Sequence, residues 1–120
     1  MKRFSLALAT AAVVSGVTAA VALAHVEYMS SYPAKGSTAS RNISTVSVTF
    51  SGPIRKGTLK VTGPGGKSVS NGSGGRDPRK ISRLRVPLKS GLKAGSYKAT
   101  WTIVASDGDD QHGSFTFKLK

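Results

Sequence analysis

Two histidines and one acidic run are the residues of this chain whose types and spacing could do chemistry. The first histidine, His25, directly follows Ala22-Leu23-Ala24, a small-x-small signature of signal-peptide cleavage. Cleavage after Ala24 would make His25 the first residue of the mature chain. Its α-amino nitrogen and an imidazole nitrogen would then be offered to one metal ion. Donors on a single residue close a chelate ring, which lowers the entropy cost of binding because the second donor is already near. Nitrogen donors of this kind suit Cu(II), which heads the divalent affinity series and prefers a tetragonal arrangement. The alternative is a histidine that sits at a cleavage site by chance.

The second cluster is Ser106-Asp107-Gly108-Asp109-Asp110-Gln111-His112-Gly113. It holds three of the five acidic side chains of the segment 25–120, in an otherwise basic sequence. An acidic turn between two strands is one reading, since Asp and Gly favour turns. A hard-cation site is another, but the run lacks the length and the closing Glu of a calcium-binding loop. Enzyme chemistry finds little support. No Ser sits in a nucleophile motif of the kind a triad needs. Two carboxylates facing each other across a cleft, as glycosidases require, would be hard to build on a small sandwich. The chain has no cysteine, which excludes thiolate metal sites and disulfide exchange. The expectation is therefore a non-enzymatic protein.

The elements that must position these residues follow from the patterning. Lys2 and Arg3 precede an apolar or small run over residues 6–24, which reads as a signal peptide over residues 1–24. An uncleaved anchor is the alternative, since the run is just long enough to span a bilayer. The Ala-x-Ala site and the abrupt change to polar sequence favour cleavage. Residues 25–120 are then one domain by length. No second hydrophobic segment follows, so no stable membrane insertion is expected after cleavage. Without disulfides, the core alone must hold the fold.

Within that domain, alternation with a period of two dominates. Val46, Val48 and Phe50 alternate with Ser47 and Thr49. The same pattern recurs at Leu59 and Val61, at Leu84 and Val86, from Tyr97 through Ala99 and Trp101 to Ile103, and from Phe115 through Phe117 to Leu119. Residues 26–30 and 68–70 are candidates for two further strands. The intervening stretches are rich in Gly, Pro, Asn and Asp, and no segment shows a helical period. About seven short strands at this spacing predict an all-β fold, an antiparallel β-sandwich or partly closed Greek-key barrel. The Gly-rich stretch 71–75 reads as a flexible hairpin loop. It lacks the strand and helix context of a phosphate-binding loop.

Residues 25–120 carry 16 basic and 5 acidic side chains, a net charge of +11. Such a surface aids solubility and attracts anionic partners. The basic residues are scattered and most aromatics occupy core-parity positions, so nucleic-acid binding is not expected.

In four places, in order, the chain resembles the CopC family of periplasmic copper-resistance proteins. The opening Ala24-His25-Val26 with Ser31-Tyr32-Pro33-Ala34-Lys35-Gly36-Ser37 is similar to the family's terminal His and Ser-x-Pro-Ala-x-Gly-Ser turn. Val48-Thr49-Phe50-Ser51-Gly52-Pro53-Ile54 resembles its Leu-x-Phe-Ser-x-Pro-Val strand end. Leu92-Lys93-Ala94-Gly95-Ser96-Tyr97-Lys98-Ala99-Thr100-Trp101 resembles its Leu-x-x-Gly-x-Tyr-x-Val-x-Trp strand. Ser106-Asp107-Gly108 with Gly113-Ser114-Phe115-Thr116-Phe117 resembles its closing Asp-Gly-His and Gly-x-Phe-x-Phe pattern.

The resemblance implies a small immunoglobulin-like Greek-key β-sandwich or barrel, and a Cu(II) site built from the mature terminal His, an Asp, and a His two residues later. It carries over to His25 and Asp107. Asp109 stands where the third ligand would be, and the only other imidazole of the loop is His112. Imidazole chemistry favours His112, but its parity is that of Ser114 and Thr116 on the polar outer face, so it reaches the site only if Gly108 and Gly113 let the loop curl back. Asp109 is the substitute, with the parity of Asp107 in an extended loop. The family's Met-rich Cu(I) site has no counterpart, because only Met29 remains after the signal peptide. The implied function is an exported, periplasmic Cu(II)-binding protein for copper sequestration, resistance or delivery. The copper ion is its ligand, and a copper-transporting inner-membrane protein is an implied partner. The alternative is the same fold without metal, serving as a docking module for a membrane partner or an anionic envelope surface. A histidine-brace oxidative enzyme would need a second brace His and a flat substrate face.

Overall fold

The computed structural model describes residues 25–120, and the expected signal peptide at 1–24 lies outside the described residues. Eight strands form: β1 (Tyr28–Tyr32), β2 (Thr38–Ala39), β3 (Thr45–Phe50), β4 (Ile54–Thr62), β5 (Gly75–Asp77), β6 (Lys80–Pro87), β7 (Gly95–Ala105) and β8 (Asp110–Leu119). They make two four-stranded sheets, ordered β1-β3-β6-β5 and β2-β8-β7-β4. The layers form a sandwich, not a closed barrel. All pairings are antiparallel except the two-residue ladder between β2 and β8.

The period-two pattern becomes the core. Val46, Val48, Phe50, Leu59, Val61, Leu84, Val86, Tyr97, Ala99, Trp101, Ile103, Phe115, Phe117 and Leu119 are all buried. Each side chain of Val or Leu size or larger that is taken fully from water contributes about 1.5–3 kcal/mol. Phe50 meets the Trp101 indole edge-on, with ring centroids 4.9 Å apart, while Tyr97 stacks on Phe117 at 5.8 Å.

Three features depart from the sequence pattern. Residues 68–70 contribute only isolated bridges, from Ser68 to Thr62 and from Ser70 to Leu88. The Gly-rich stretch ends inside β5, and a Cβ on Gly74 would collide with the Leu59 carbonyl. Thus Gly74 serves close backbone approach as well as flexibility. Finally, β8 begins at Asp110, so half of the expected acidic loop is strand.

Candidate metal centre

The hairpin of β7 and β8 positions the acidic run. Its ladder is unbroken from Gly95 opposite Leu119 to Val104 opposite Asp110, which leaves residues 106–109 as the turn. The Gly108 N–H donates to the Ala105 carbonyl and the Ala105 N–H to the Asp109 carbonyl, each at 2.8 Å. Gly108 has φ +91°, in the left-handed region where a side chain is strained. Asp107 stabilises the turn from within, its Oδ1 accepting the Asp109 N–H at 3.0 Å. The turn rests against the β3–β4 connection, where the Ser106 N–H donates to the Pro53 carbonyl at 3.3 Å.

The N-terminal segment reaches the same end of the sandwich. Val26 is buried and the Ser51 N–H donates to the Glu27 carbonyl at 2.8 Å. The Ser51 hydroxyl in turn accepts the Glu27 N–H at 2.9 Å. One side chain joins this segment to the acidic run. Gln111 Nε2 donates to the Val26 carbonyl at 2.6 Å and to Asp109 Oδ2 at 3.1 Å. His25 is exposed, one residue before that anchored carbonyl.

Successive strand residues point to opposite faces, and that alternation separates the candidate ligands. Gln111 lies opposite Ile103 and has the parity of the core residues Phe115, Phe117 and Leu119. His112 lies opposite Thr102 on the outer face. There it lines a groove of about 480 Å³ with Lys56, Thr58, Val104 and Asp110. The curl that would carry His112 back to His25 is therefore not the conformation of this segment, because ladder pairing holds residues 110–113 extended. Gly113 has a different role from the expected hinge. A Cβ there would stand 2.6 Å from Trp101 Cζ2, so its missing side chain makes room for the indole. The structure thus brings the chain next to His25 together with Asp109, keeps Asp107 in the same turn, and turns His112 and Asp110 outward. Among the described residues, no three His, Asp or Glu side chains already gather as a metal-holding group.

Gln111 is the residue that sequence reasoning missed, naming it within the acidic run without giving it a role. Its signal was an amide at core parity, where the neighbouring positions of the same face are aromatic or aliphatic.

Comparison with known proteins places these features in a family. The CopC domain model matches residues 28–120. Protein YobA of Escherichia coli (strain K12) is 30% identical over 120 residues, an alignment that covers 98% of this chain and 94% of YobA. CopC from Methylosinus trichosporium OB3b has a similar fold, with a TM-score of 0.67 at 20% identity over 80% of this chain and 94% of its own. PcoC from Escherichia coli, described as a methionine-rich copper resistance protein, also gives a TM-score of 0.67, at 24% identity over 81% of this chain and all of its own.

Proposed function

The chain belongs to the CopC family, and from that premise we propose that it is an exported Cu(II)-binding protein that sequesters or delivers copper in the periplasm. Family membership and the copper-resistance proteins among its structural neighbours support a copper-related function. The finer reading is that the chain is cut after Ala24, leaving 25–120 as the mature domain. The cut matters chemically, because only a terminal His25 has a free amine. In the uncut chain the same nitrogen is an amide.

The observation that carries this reading is the Gln111 amide. It ties the carbonyl of residue 26 to the carboxylate of Asp109. Residue 25 is thereby tethered beside a turn that carries two carboxylates. The proposed donors are the amine and imidazole of His25 with oxygens of Asp107 and Asp109. Two nitrogens and two oxygens satisfy the in-plane demand of a tetragonal Cu(II) ion. Asp107 keeps Oδ2 out of the turn-stabilising bond. Asp109 is preferred to His112 as the third side chain, because its Oδ2 is already held toward residue 26 while His112 faces the outer groove. Fixing a ligand through a neighbouring hydrogen bond is the usual way in which surrounding residues tune a metal site. Copper is cargo here, and a copper-transporting membrane protein is the proposed recipient.

Electron paramagnetic resonance of the Cu(II)-loaded protein tests the ligand set. The expected spectrum has two coordinated nitrogens, is unchanged in His112→Ala and is altered in Asp109→Ala. A third nitrogen that disappears in His112→Ala would overturn the preference for Asp109. A second reading, a CopC-like docking module without metal, draws on the missing pre-gathered ligand group among the described residues. It predicts no stoichiometric Cu(II) binding at all.

A further inference from the structure

Acidic side chains on this molecule are sorted by position, while basic ones are spread over the whole surface. Of its five acidic side chains, Asp77 is buried against Arg83, and the other four are Glu27, Asp107, Asp109 and Asp110. All four lie at the His25 end, joined there by the contacts of Ser51, Pro53 and Gln111. The opposite end, where β4 and β8 finish and β7 begins, carries Arg41, Lys67, Lys89, Lys93 and Lys120. Adjacent grooves bring these groups together. Lys67, Lys89 and Lys93 line one of about 380 Å³, and Arg41 and Lys89 line a second of about 170 Å³. The Arg41 N–H reaches the Lys120 carbonyl at 3.4 Å. No acidic side chain lines either groove.

We propose that this basic end docks on an anionic phospholipid surface and leaves the His25 end facing away from it. Three observations select that partner. First, the patch is mostly lysine. A lysine ammonium is a compact point charge without the planar fork that arginine offers to a single carboxylate, and it suits a field of phosphodiesters with no fixed geometry. Second, the exposed large apolar side chains among the described residues are Met29, Tyr32 and Ile81, and none lines either groove. A stable protein interface puts such an anchor at its centre, and single-stranded nucleic acid needs aromatic platforms. Third, the only tyrosine of the larger groove, Tyr97, is buried, and its hydroxyl donates to the Lys93 carbonyl at 2.6 Å. The eleven residues of β7 run from one end to the other. At about 3.3 Å each, they hold the acidic end roughly 35 Å from a docked membrane, several screening lengths from the lipid charge. The inference rests on charge placement and is independent of copper binding.

Vesicle flotation tests it. The protein is recovered after export, with its first residue checked by mass spectrometry. It is mixed with vesicles of phosphatidylcholine alone or with one third phosphatidylglycerol. The expected result is flotation with the anionic vesicles only, abolished at high salt. Each lysine near an anionic surface is worth about fivefold in partitioning. The triple variant Lys67→Ala, Lys89→Ala, Lys93→Ala should therefore bind about a hundredfold more weakly. A control of equal net charge, Lys56→Ala, Lys80→Ala, Arg85→Ala, should lose far less. All six side chains are exposed, and an unchanged melting temperature verifies folding. Equal losses in both triples would mean that only total charge matters and would overturn the proposal. Equal flotation with phosphatidylcholine alone would overturn it too, as would binding to polyglutamate but not to vesicles, which would assign the end to an acidic protein.

Discussion

Gln111 and Asp77 are the two polar side chains on which most depends at the scale of single residues. Gln111→Ala removes both bonds that hold residue 26 beside Asp109. Losing a partner that orients a metal ligand typically weakens metal binding about 10- to 100-fold. Competitive Cu(II) titration should show a loss in that range, with little change in melting temperature. An unchanged affinity would remove Gln111 from the site. Asp77 is a stability residue. The Arg79 N–H donates to its Oδ1 at 2.9 Å, and Arg83 donates to its Oδ2 through Nε at 3.1 Å and a terminal nitrogen at 2.9 Å. The Arg79 backbone bond, followed by the Arg83 guanidinium, holds this carboxyl below the ordinary carboxylate range. The folded pKa is thus lower than the unfolded one, so the stabilisation is complete above the unfolded value of about 3.9 and is lost as pH falls through the folded value. Asp77→Asn should melt lower than wild type at neutral pH, and the gap should narrow in acid. A gap that stays constant from neutral to strongly acid pH would contradict the charge-based account.

Among the elements, β7 and β8 matter most, because one hairpin carries both the middle of the core and the acidic turn. Trp101 is wedged between Phe50 and Gly113. Truncating it to Ala should cost about 3–5 kcal/mol in denaturant unfolding. Gly113→Ala drives a methyl group into the indole and should cost about 1–3 kcal/mol. If Gly113→Ala proved neutral, the indole could not lie where it does. This hairpin also shows what was legible in the sequence. Alternation from Tyr97 to Ile103 and from Phe115 to Leu119 named the buried face, since period-two patterning survives any register. What alternation could not give was the start of β8. Asp110, Gln111 and His112 are all polar, so the hydrophobic signal vanishes there while the ladder continues to Val104 opposite Asp110. The two short strands β2 and β5 escaped for a similar reason, having only two and three residues and no apolar repeat. For the candidate site, the Asp and His residues were legible by type. Their parity was legible too, since His112 shares that of Ser114 and Thr116; what was not legible is that ladder pairing already begins at Asp110 and holds the segment extended, without the curl that would bring His112 back.

On the scale of the whole molecule, the sandwich separates two chemistries along its long strands. Glu27, Asp107, Asp109 and Asp110 gather at the end that holds His25, and Lys67, Lys89, Lys93 and Lys120 lie at the other. Taken together, the two proposals stand the protein on a membrane with the proposed Cu(II) site facing outward. The docking half of that picture can fail without affecting the copper half, since it depends on different residues. The copper half depends on the free amine of His25. The most direct measurement is a Cu(II) titration of protein beginning at His25, beside the same protein carrying one extra glycine before it. The account predicts one tightly bound Cu(II) per chain in the first and loss of most of that affinity in the second. Equal affinity in the two would contradict it.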